Sequence, residues 1–111
     1  MKKLALACAS LLLFLSTAVF AEEHAYTAIE HASAAIAQGK ADKAPALVQH
    51  ATQALEHAKM AENVAQGHSK TQMQSAVKAL QKAIDQGNAG DAKSATQSTE
   101  EAVGFLQAGN K

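Results

Sequence analysis

Sliding the chain along itself by 48 places lays Ala28, Ala35, Ile36, Gln38, Gly39, Ala41, Ala44, Gln49 and Ala54 on identical residues, from Ala76 through Gly87 to Ala102. Matches at alanine arise easily in an alanine-rich chain, but Ile-x-Gln-Gly falls at the same point of each copy. A unit that recurs in this way is a supersecondary piece that buries its apolar face against its neighbour. The spacing inside the unit says what kind of piece it is. Ala25, Ile29, Ala32 and Ile36 recur at helical intervals, as do Met73, Ala76, Val77, Leu80, Ala83 and Ile84, and again Ala92, Ala95, Thr99, Ala102, Val103 and Leu106. No stretch alternates as a strand would, and alanine, glutamine, lysine and glutamate favour helix. Each copy therefore reads as a helical hairpin. The predicted fold is all-α, an antiparallel up-down-up-down four-helix bundle made by duplication.

Turn residues set the expected boundaries. The first helix spans about 23–38 and closes at Gly39. The second spans about 44–66, carries Pro45 in its first turn, where a missing N–H has no partner anyway, and closes at Gly67. The third opens at Ser69, with Gln72 completing a capping box, and closes at Gly87. The fourth opens on Asp91 as N-cap and fades near Gly109. Each of these glycines is expected to sit just past a helix in the left-handed conformation.

The start of the chain reads as a separate element. Met1-Lys2-Lys3 is basic, Leu4 to Phe20 is almost wholly apolar, and Val19-Phe20-Ala21 is a small-x-small cleavage site. Residues 1–21 are therefore expected to be a signal peptide, leaving 22–111 as a periplasmic domain with no membrane attachment. That domain has 90 residues, eight lysines and ten acids, a charge of about −2. It has no basic surplus for nucleic acid and only Tyr26 and Phe105 as aromatics, too few for a base-stacking platform. The one cysteine, Cys8, departs with the leader, so disulfides, thiolate metal sites and haem attachment are excluded for the exported chain. About a quarter of the domain is alanine. Such a core is thin, its helices must approach closely, and a monomer of modest stability is expected.

All five histidines, His24, His31, His50, His57 and His68, lie in the first hairpin or just after it. The 48-residue shift places His24, His31, His50 and His57 on Gln72, Ala79, Ser98 and Phe105, so the second hairpin builds the same scaffold without imidazole. His24 and His31 are seven apart, as are His50 and His57, so each pair shares a helix face two turns apart. In an antiparallel pair, level residues have constant index sums. Both His31 with His50 and His24 with His57 give 81, a pivot near 40–41 in the Gly39–Asp42 turn. Two rungs about 10 Å apart are expected, each a separate two-histidine metal site. The rings on both helices face the groove between them, or both face away; the wheel permits either. Glu23, Glu30 and Glu56 each precede a histidine and are candidate oxygen ligands or orienting groups. Met60 is a candidate soft ligand for cuprous ion. A chain starting Glu22-Glu23-His24 also offers a free amine, two amide nitrogens and an imidazole, the planar four-nitrogen set preferred by Cu(II) and Ni(II). His68 lies in a loop and Met73 reads as core.

The unit His50-Ala-Thr-Gln-Ala54-Leu-Glu-His57-Ala, together with the leader, the size and the Ala-Gln-Gly turns, resembles the bacterial small metal-binding protein family. The resemblance covers the whole chain. It implies a periplasmic histidine-rich four-helix bundle that binds copper, nickel, zinc and related divalent ions, with His24, His31, His50 and His57, and more weakly His68, as the metal-binding histidines. The departure is that family members as a rule carry histidines on both hairpins.

The function expected is non-enzymatic binding or buffering of divalent transition metals, Cu(II) foremost, then Ni(II) or Zn(II). Because imidazole binds metal only when neutral, affinity should fall below about pH 6. The alternative is an exported helical interaction module with incidental histidines, offering a face around Phe105 on the fourth helix. An enzyme is not expected: no glutamate has histidine three places later, as a ferritin-like di-iron site needs, and there is no phosphate-binding loop or nucleophile with a matched base.

Overall fold

The computed structural model describes the backbone of residues 2–110 and the side chains of residues 20–110. Four helices follow one another, α1 Lys2–Lys40, α2 Ala44–Val64, α3 Gly67–Asn88 and α4 Ala92–Gly109, and among the described residues there is no strand. Each helix packs on its two neighbours, α1 on α2 and α4, α3 on α2 and α4, while α2 touches α4 only lightly across the diagonal. This is the predicted four-helix bundle. The side chains of the expected leader, Cys8 among them, lie outside the described residues apart from Phe20 and Ala21.

What packs is a heptad seam of small side chains. Buried residues recur at alternating intervals of three and four: Ala25, Ala28, Ala32, Ala35 and Gly39 on α1, and Ala44, Leu47, Ala51, Ala54, Ala58 and Ala61 on α2. The same rhythm gives Met73, Ala76, Leu80, Ala83 and Gly87 on α3, and Ala92, Ala95, Thr99, Ala102, Leu106 and Gly109 on α4. A strict seven-residue repeat keeps one seam facing its partners through left-handed supercoiling. In heptad notation these are the a and d positions. Ile29, Ile36, Val48 and Leu55 fall one step beyond, at e, and are partly buried. The sequence reading put Ile29 and Ile36 on the central stripe; the alanines beside them lie deeper, because close approach favours the smallest side chains there.

Large buried residues are few: Leu47 in the first hairpin, Met73, Leu80 and Leu106 in the second. Each is worth about 1.5–3 kcal/mol of apolar burial. The 48-residue shift sets Met73 against Ala25, Leu80 against Ala32, Leu106 against Ala58 and Leu47 against Ala95. Where one copy is large the other is small, so the paired hairpins fill a common core without crowding.

The two inner turns are copies of each other. Lys43 N–H donates to Gln38 O at 2.9 Å and Asp42 N–H to Gly39 O at 3.0 Å; 48 places on, Asp91 N–H donates to Gln86 O at 3.0 Å and Gly90 N–H to Gly87 O at 3.0 Å. This is the Schellman pattern, whose left-handed residue is Asp42 (φ 60°) in one copy and Gly90 (φ 83°) in the other. The helices thus outrun the expected glycine stops. Gly39 and Gly87 lie inside α1 and α3, on the seam. A Cβ on Gly39 would meet Thr96 and Leu47, and one on Gly87 would come within 2.5 Å of Val48. Val48 and Thr96 are themselves 48 apart, so these are one contact repeated by the internal pseudo-symmetry. Gly109 likewise ends α4 on the seam, against Met73 and Gln72. Close helix approach, not chain reversal, is what requires glycine at these places.

Helix starts are mixed. Pro45 sits in the first turn of α2, as expected. Asp91 caps α4, accepting from Ser94 N–H at 3.1 Å, and that bond holds its carboxyl below the usual value. The Ser69–Gln72 capping box does not form: α3 begins at Gly67 (φ 59°), two residues earlier, with Gln66 as a cap that makes no side-chain bond. The left-handed freedom of Gly67 serves the entry to α3 rather than the exit from α2. Phe105 is partly buried against the core.

Candidate metal centre

His24, His31, His50 and His57 each immediately precede an a residue of the seam, namely Ala25, Ala32, Ala51 and Ala58. All four are therefore g positions. In an antiparallel pair the g positions of the two helices flank the same side of the seam, so the rings face one another across the outer α1/α2 groove. That resolves the choice the helical wheel leaves open. All four are half-buried.

His24 and His57 meet. Their Nδ1 atoms are 3.0 Å apart, one ring donating its N–H and the other accepting, with ring centroids 5.2 Å apart. His57 is also stacked on His31, centroids 5.6 Å apart and planes 15° from parallel. Phe20 closes the outer end, its ring edge-on to His24 at 4.7 Å.

The second expected rung is not formed. Among the described residues no ring contact or hydrogen bond joins His31 to His50, and the Nδ1 of His50 is buried without a partner. The register also differs from the expected one. α1 continues to Lys40 and α2 starts at Ala44, so the pivot is Asp42 and level residues sum to about 84 rather than 81. His57 is then level with position 27, midway between His24 and His31, and His50 with position 34. The rings interleave at intervals of three and four residues, about 5 Å of helix rise. An interleaved ladder replaces two rungs.

The acidic candidates stand apart. Glu23, Glu30 and Glu56 each precede a g residue, which rotates them 100° to the outermost surface, and all three are exposed. Glu22 is exposed and lines, with Glu23, Tyr26 and Asn110, a surface recess away from the ladder. Met60 is 46% exposed, His68 is exposed near the start of α3, and Met73 is core. Among the described residues no three His, Cys, Asp or Glu side chains converge as a metal-binding group.

In the second hairpin the same groove is filled by other residues. Ser98 donates to Gln86 Oε1 at 2.6 Å, while Ala79 is buried in the core cluster and Phe105 packs against that cluster. The scaffold closes its g flank with amide, hydroxyl, methyl or phenyl groups, so imidazole there is not required by the fold.

A model of the small metal-binding protein family matches residues 1–109 of the chain. The chain belongs to that family. No curated protein matches it. A family of metal binders and a groove lined with facing imidazoles agree in chemistry, and the second hairpin shows that the same architecture persists without the histidines.

Proposed function

We propose that the protein binds divalent transition-metal ions, Cu(II) foremost, in the α1/α2 groove, as an exported, non-enzymatic buffer or scavenger in the periplasm. The observation that carries this is the 3.0 Å approach of the His24 and His57 Nδ1 atoms. Two nitrogens on adjacent corners of a square-planar ion, each about 2.0–2.1 Å from it, lie about 2.9 Å apart, whereas tetrahedral geometry needs about 3.3 Å. The groove holds the two donor atoms at about the planar spacing; to bind, the shared proton is released and both rings turn so that their lone pairs converge on the ion beside the N···N line. Water completes the shell, since the carboxylates lie outward, and affinity is ordinary rather than extreme. Ni(II) shares the planar preference; Zn(II) requires the rings to spread.

Export rests on the basic start, apolar run and cleavage site of residues 1–21. Removal of the leader after Ala21 also strips Phe20 from the edge of His24 and opens the outer end of the groove to solvent. The pairing of His24 with His57 favours the groove over the amino-terminal chelate as the place for its imidazole.

Calorimetric titration of the purified protein with Cu(II) at pH 7 tests the proposal. The wild type is expected to bind at least about 100-fold more tightly than a variant lacking all five histidines, since losing even an outer-sphere partner of a metal costs roughly 10–100-fold. Equal affinities would end the reading.

A further inference from the structure

Resting on that reading, we infer that the groove holds one ion in two interchangeable pairings that share His57. Among the described residues His57 is the only imidazole in contact with two others, bonded to His24 through Nδ1 at 3.0 Å and stacked on His31 at 5.6 Å. A neutral imidazole has one free lone pair, so His57 serves one ion at a time. The rings of His31 and His57 are nearly parallel, 15° apart, and the in-plane lone pairs of stacked rings lie in separate planes and do not converge on one point. His31 is thus excluded from the shell while His24 and His57 hold the ion. A turn of the His57 ring exchanges one neighbour for the other. The ion then steps about 5 Å along the groove without leaving its central ligand, the step being half of seven residues of helix rise.

This differs from two independent two-histidine sites in stoichiometry and in the ranking of the ligands. His50, level with position 34 and untouched by the other rings, takes no part.

The second hairpin supplies substitutions the scaffold accepts, because Gln72, Ala79, Ser98 and Phe105 stand where His24, His31, His50 and His57 stand. Cu(II) binding to His24→Gln, His31→Ala, His50→Ser and His57→Phe is measured by calorimetry at pH 7, with helicity checked by circular dichroism. The wild type is expected to take one ion in the groove. His57→Phe should weaken binding by about 100-fold, as loss of the ligand common to both pairings, while His24→Gln and His31→Ala each weaken it less than about tenfold and His50→Ser leaves it unchanged. The double variant His24→Gln/His31→Ala should match His57→Phe. Two equivalents in the wild type, or equal losses from all four single substitutions, would overturn the sharing of His57 while leaving metal binding standing. A large loss from His24→Gln with none from His57→Phe would overturn it in favour of the amino-terminal chelate. Equal binding by the wild type and the variant without histidines would overturn both this inference and the reading beneath it.

Discussion

Gly39→Ala is expected to destabilise the bundle by about 1–3 kcal/mol, the usual cost of overpacking a filled core. The new methyl would meet Thr96 of α4 and come within 2.6 Å of Leu47 Cδ1. Neither neighbour retreats easily. Thr96 is β-branched and buried, and its hydroxyl donates to Ala92 O at 2.6 Å, while Leu47 is fully buried. Gly87→Ala should have the same kind of effect through the symmetry-related Val48. Gly104 is the control. It lies within α4, is exposed, and a Cβ there meets nothing within 4 Å, so Gly104→Ala should stabilise by up to about 1 kcal/mol through helix propensity. In a domain of this size 1 kcal/mol moves the melting temperature by roughly 4–8 °C. Thermal unfolding followed by circular dichroism should therefore show a fall for Gly39→Ala, its partial recovery in Gly39→Ala/Thr96→Ala, and a rise for Gly104→Ala. A neutral Gly39→Ala would mean that the helices do not approach at the seam as described.

Cu(II) should raise the melting temperature of the protein by roughly 10–20 °C when present at about a hundred times its dissociation constant. A ligand that binds only the folded state adds about 2.7 kcal/mol at that concentration, and each kcal/mol is worth roughly 4–8 °C here. The shift is large because the apo core is thin: among its largest fully buried side chains only Leu47, Met73, Leu80 and Leu106 are sizeable apolar groups. An ion held by His24 of α1 and His57 of α2 joins the two helices at the end of the hairpin farthest from its turn, where fraying begins. The same titration on the variant lacking all five histidines should leave the melting temperature unmoved. A wild-type melting point indifferent to Cu(II) would show that no site links the two helices.

The fold was legible because it is written twice. The 48-residue shift, the helical spacing and the short turns define two antiparallel hairpins, and the structure repeats even the hydrogen bonds of their turns. The helix ends were less so. Gly39 and Gly87 look like stop signals, and only the packing of Thr96 and Val48 against them shows that they are seam residues. Asp42 gives little warning that it takes the left-handed place that Gly90 holds in the other copy. α1 runs two residues past its expected end, and the index sum of level residues moves from 81 to about 84, which changes the register of the histidines. That His24 and His57 share one side of the hairpin followed from spacing alone; that their rings face the groove, and that His57 inserts between His24 and His31, required the seam and the end of α1 to be known. Nor could spacing tell that Glu23, Glu30 and Glu56 turn outward, since a step of one residue is ambiguous until the seam is known to run through alanines 25, 32 and 58.

The pairing of His24 with His57 is tested most directly by pulsed electron paramagnetic resonance on the protein carrying one equivalent of Cu(II), which counts bound imidazoles from the modulation by their remote nitrogens. Two imidazoles are expected in the wild type, with the two-imidazole pattern lost in His57→Phe. One imidazole accompanied by backbone amide nitrogens, unchanged by His57→Phe, would place the ion at the amino terminus and contradict a centre built between the two helices.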